Sequence, residues 1–153
     1  MSSALRTVIE RLRRDALAAP RRVFDESRAR HAALAGHADV ASVLAALADD
    51  REHTYPERDA LTRALLSEHR TSGEALWASV LIVAYYPMLS RLRHRLVSDA
   101  VPRDELDQVV VTAFLATLGE LPVDEHADRI AMRLRQRTER QVFAFLRKER
   151  EQQ

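Results

Sequence analysis

Apolar residues recur along most of this chain at intervals of three and four, the spacing that lines one face of an α-helix. Pro and Gly fall almost only between the periodic runs, so the pattern predicts seven helices. The first runs from Ser3 to Ala18, with Leu5, Val8, Ile9, Leu12 and Ala16 on one face and Arg6, Arg13 and Arg14 in water. Pro20 closes it and serves as a first-turn residue for a second helix reaching Leu34, where Gly36 stops it. Asp39 caps a short third helix through Val40, Val43, Leu44 and Leu47, ended by Asp49 and Asp50. Thr54 and Pro56 open a fourth through Leu61, Leu65 and Leu66, halted at Thr71, Ser72 and Gly73.

The fifth helix, Glu74 to Val97, is apolar nearly all round between Leu76 and Tyr86, as expected of the central helix of a bundle. Pro87 lies inside it and removes the bond to the Val83 carbonyl, which predicts a kink. The sixth spans Arg103 to Leu118 with Leu106, Val110, Ala113 and Thr117 on one side, while Val111 and Leu115 form a second apolar stripe. Gly119 and Pro122 end it. The seventh, Asp124 to Arg150, sets Ile130, Leu134, Val142, Phe145 and Leu146 inward, with Asp124, Glu125 and Asp128 at the positive end of its dipole. The expectation is all-α: a single compact bundle in which residues 1–55 form an N-terminal helical portion packed on the same core as 56–153.

Composition sharpens this reading. Only 3 Gly and 5 Pro in 153 residues, against 46% apolar and 31% charged, favour helices over sheet or disorder. With no Cys there is no disulfide, thiolate metal site or Cys nucleophile. The first residues carry Arg6, Arg11, Arg13 and Arg14 and lack the apolar stretch of a secretory signal, so the expected location is cytoplasmic. The run Ala75 to Leu89 falls short of the ~20 residues of a membrane span and reads as a buried core helix. Charge is unevenly spread: 36–75 holds eight acids and four bases, whereas 129–150 holds eight bases against Glu139 and Glu149.

Catalytic chemistry is not visible. The Ser residues lie singly on helices without a Gly-rich elbow, and His31, His37, His53, His69, His94 and His126 include no pair three or four apart. Adjacent acids at Asp49 with Asp50 and at Asp104 with Glu105 sit at helix ends, where capping already favours them. No enzyme activity, cofactor or metal is expected.

From Leu61 to Arg150 the order of signals is more specific: "LLSEHRTSGEALWASVLIVAYYPMLSRLRHRL", then "DELDQVVVTAFLATL", then an Arg-rich helix ending "VFAFLRKER". This resembles region 2 of bacterial RNA polymerase sigma factors, especially the extracytoplasmic-function group. Tyr86, Pro87, Leu89, Leu92, Arg93 and Leu96 match the family's first helix, and Asp104, Glu105, Leu106 and Gln108 match its second. Where the family carries an acid after the Gln this chain has Val109, and no Trp, Tyr or Phe lies between Leu115 and Val142. No stretch of these 153 residues corresponds to the family's region 4, and the first 60 residues match no pattern of the family.

The resemblance implies a transcription-associated protein, a partial sigma factor or polymerase-binding regulator. Its second helix would dock on the clamp coiled coil of core RNA polymerase through Asp104, Asp107, Gln108, Val111 and Leu115. Arg129, Arg133, Arg137, Arg140 and Arg147 fall near one stripe that could follow the phosphate backbone of promoter DNA. The alternative is a helical protein-interaction module or homodimer with no nucleic-acid role, and a solvated face paired with Glu139 is the plain reading of the arginines.

Overall fold

The computed structural model describes residues 4–97, 101–123 and 129–152, and over them the chain is all-α. Its elements are α1 (Ala4–Leu17), α2 (Arg21–Arg30), α3 (Ala32–Ala35), α4 (Val40–Ala48), a 3-10 turn (Glu52–Thr54), α5 (Tyr55–Thr71), α6 (Ala75–Leu96), α7 (Arg103–Glu120) and α8 (Ile130–Glu151).

The apolar run in the middle of the chain becomes the axis. α6 buries Leu76, Trp77, Val80, Leu81, Ile82, Val83, Met88, Leu89 and Leu92, and α1, α4, α5 and α7 pack around it, with α8 laid on α7 and α5. By length and composition alone α6 could cross a membrane, but half of its apolar window is inside the bundle, which makes it a core helix. It continues unbroken through Pro87, whose ring is exposed. The α7 seam holds as its spacing requires: Leu106, Val110, Ala113 and Thr117 are all buried, joined by Phe114 and Leu118.

Helix ends are fixed partly by neighbours in sequence and partly by other helices. Asp39 caps α4, accepting the Ser42 amide at 2.9 Å. Gly73, at φ +72°, takes the left-handed turn that follows α5, a conformation costly for any residue with a Cβ. At the far end of the bundle the Arg70 side chain donates to the carbonyls of Leu118, at 2.9 Å, and Leu121, closing the C-terminus of α7 from α5. The Asp59 carboxylate accepts the Ile130 amide at 2.6 Å, capping the start of α8 from 71 residues away.

Five expectations change. The second helix does not reach Leu34: His31 is extended (φ −131°, ψ 121°), which splits it into α2 and α3 and turns Arg30 and His31 together onto Glu68. Gly119 does not end α7, which runs to Glu120, because Arg70 satisfies the last carbonyls. α8 is not continuous from Asp124, since Arg129 is left-handed at φ 53° and the helix begins at Ile130; Asp124, Glu125 and Asp128 lie outside the described residues. Phe145 faces solvent, because the buried stripe Ile130, Leu134, Thr138, Val142 repeats every four residues and winds away from it. Val8 is also exposed, left beside the narrow seam that α1 makes through Leu5, Ile9 and Ala16.

Candidate functional site

Positions 104, 108, 111 and 115 stack on one side of α7, since spacings of three and four return to the same face. Asp104 and Gln108 are exposed there, Val111 is half-buried, and Leu115 leaves 40% of its surface in water. Asp104, Glu105, Gln108 and Val111 also line a groove of about 570 Å³ between α7 and the start of α1, whose other wall is Ala4 and Val8. The groove has an apolar floor and an acidic edge. At that edge the Glu149 carboxyl lies beside Glu105, and the hydrogen bond between the two carboxyls raises the Glu149 pKa.

Asp107 also borders the groove, but it is buried against α1. It is 5% exposed, accepts the Leu5 amide of α1 at 3.3 Å, and stands 3.4 Å from the Arg93 guanidinium of α6. Burial raises its pKa against the opposing pull of Arg93. The contact with Arg93 is poorly aligned, leaving Asp107 Oδ1 and Arg93 Nε without a hydrogen bond among the described residues. Through these contacts it ties the first turn of α1 to α6 and α7. Nothing in the local spacing of "DELDQ" distinguishes it from Asp104; only the position of α1 does.

The five arginines divide in the same way. Arg133, Arg137 and Arg140 line one shallow recess with Gln136, Leu121 and Pro122, and Arg147 continues the stripe two turns on. Arg129 departs from it: preceding the helix in a left-handed conformation, it borders a hollow at the start of α5 with Tyr55, Pro56 and Asp59. Glu139 does not neutralise the stripe, because it accepts from Arg95 of α6 at 2.9 Å. Phe143 lies between Arg140 and Arg147 on that same face and is 45% exposed, an aromatic ring within the stripe just beyond the ring-free stretch from Leu115 to Val142. Its spacing, three after Arg140 and four before Arg147, was the available signal.

The remaining buried polar groups are structural. Glu68 has a fully buried side chain and receives a two-pronged contact from Arg30, 2.8 Å from Nε and 3.0 Å from Nη2, with His31 Nε2 3.1 Å away. The Arg30 contact holds the Glu68 pKa below its ordinary value despite burial. The Tyr85 hydroxyl is bonded to Thr62 at 2.9 Å, and burial pushes its pKa up to about 12. Among the described residues no group of three His, Asp or Glu side chains is placed to hold a metal ion.

No family model, no curated protein and no solved structure matches this chain.

Proposed function

We propose that this chain is a helical adaptor that binds a protein through the exposed face of α7, and that the partner is core RNA polymerase. The observation that carries the first step is Leu115, a large apolar side chain held in water on a helix whose other face is fully packed. It extends by one turn the line of Asp104, Gln108 and Val111, which themselves border the groove against Val8, giving an apolar strip with an acidic edge. A helix with apolar and basic side chains is the complement of such a strip. The resemblance to sigma region 2 names the polymerase clamp coiled coil as that helix, and Asp104 and Gln108 are the matching positions in this sequence.

Contact with DNA is a further part of the same reading. Arg133, Arg137, Arg140 and Arg147 give a backbone-tracking stripe, and Phe143 adds a ring on which an unpaired base could stack. Such contacts would add affinity with little sequence preference, since none of them reads a base edge.

The test is capture of purified core RNA polymerase by the full chain, beside the Asp104→Ala, Gln108→Ala double variant. Both positions are exposed, so the variant should fold and unfold as the parent does. Capture by the parent and its loss in the variant is the expected result. Equal capture by both, or none by the parent, would remove the polymerase from this reading.

A further inference from the structure

A cleft of about 840 Å³, with no α7 residue in its lining, opens between α1, α4, α6 and the start of α8. Leu17, Leu47, Met88 and Met132 line it, and Leu17 leaves half of its surface uncovered. Along one wall Ala41, Ala45 and Ala48 are exposed at spacings of four and three, with Leu44 buried and Leu47 half-buried beside them, so the exposed rim of the α4 wall is made of methyl groups. Three guanidiniums stand around this apolar hollow, Arg13 from α1, Arg91 from α6 and Arg135 from α8, against the single carboxylate of Asp50. All three are exposed, and among the described residues none is paired with an acid, whereas Arg6, Arg21 and Arg22 each meet a Glu or Asp one turn on.

The arrangement asks for a ligand that is aliphatic at its centre and anionic at its edges. An aromatic or nucleic-acid ligand fits less well: of the two tyrosines in the lining, Tyr85 is packed against Phe114 at 5.9 Å with its hydroxyl held by Thr62, Tyr86 is half-buried, and the rest of the apolar lining is mainly aliphatic. A small amphiphile would stay largely wet in a cleft whose walls are this exposed, whereas pockets for such molecules enclose most of the ligand. A helix laid in the groove needs only one face covered, and the alanine rim of α4 lets its backbone approach closely there.

We propose that this cleft docks an acidic amphipathic helix of a partner protein, its leucine-type side chains between α4 and α6 and its carboxylates on Arg13, Arg91 and Arg135. The site shares no residue with the α7 face, so either can fail without the other.

The experiment measures fluorescence anisotropy of two labelled peptides on the full chain, each about five helical turns long. Both carry Leu at spacings of three and four; one is flanked by Glu and the other by Lys. The Glu peptide is expected to bind at least about tenfold more tightly, and Arg91→Ala with Arg135→Ala should weaken it by about the same factor. Ala45→Trp, which fills the hollow from an exposed position, should do likewise while circular dichroism stays unchanged, and Leu115→Glu should have no effect. Equal binding of the two peptides, no binding of either, or indifference to Ala45→Trp would overturn the proposal. A single-stranded oligonucleotide that binds and is lost in the same variants, while the peptide is not, would assign the cleft to nucleic acid and overturn it equally.

Discussion

Glu68 and Asp107 are both buried carboxylates beside an arginine, yet they respond to acid with opposite signs. The Arg30 fork depresses the Glu68 pKa, so its stabilising contribution is complete above the ordinary value near 4.5 and is lost as pH falls through the lower folded value. Asp107 is raised above 3.8, so on acidification the folded state takes up that proton before the unfolded chain does, and stability moves the other way. Urea titrations from neutral pH downwards should therefore show a shallower acid loss for Glu68→Gln and a steeper one for Asp107→Asn. Arg30→Ala should lower the urea midpoint, because it leaves the Glu68 carboxylate buried without its fork. Arg129 is a residue-scale liability of another kind. Its left-handed backbone favours glycine, and Arg129→Gly should raise the unfolding free energy by about 1 kcal/mol. Neither the burial of Glu68 nor the left-handed backbone of Arg129 was legible in the sequence: "SEHR" reads as an exposed helix end, and the partner of Glu68 is 38 positions away.

At the scale of elements, seams and local stops were legible and distant caps were not. The spacing of Leu106, Val110, Ala113 and Thr117 described the buried side of α7, and Asp39 and Gly73 marked ends that their own side chain or backbone fixes. Gly119 misled because the α7 terminus is set by Arg70 of α5, and α8 starts at Ile130 because Asp59 of α5 receives its amide. Both arrangements depend on tertiary position, which local periodicity does not contain. Asp59→Ala should accordingly destabilise the protein by about 1 kcal/mol in thermal unfolding, the cost of an ordinary helix cap, although it lies on another helix. The two stripes of α7 should separate cleanly in the same assay. Leu106→Ala, at 0% exposure, should lose about 3 kcal/mol, and Leu115→Ala, already in water, should lose almost nothing.

For the whole molecule, the packing of α1 decides what the N-terminal portion can be. It covers α6 through Leu5, Ile9 and Ala16 and fixes Asp107, so it belongs to the core that it shields. A chain lacking residues 1–55 would expose the α6 surface that α1 and α4 cover, and its far-ultraviolet helix signal and cooperative melting are expected to be lost rather than its binding improved. The candidate site was half readable for the same reason. Asp104, Gln108, Val111 and Leu115 share a face by spacing alone, but which acid of "DELDQ" remains open depends on where α1 lies. The measurement that bears most directly on the α7 face compares the affinity of core RNA polymerase for Leu115→Glu and for Val97→Glu, two exposed apolar positions outside the core. A loss of about tenfold or more for Leu115→Glu, with Val97→Glu equal to the parent, is the expected result. Equal affinities for the two variants, or no binding by the parent chain, would contradict it.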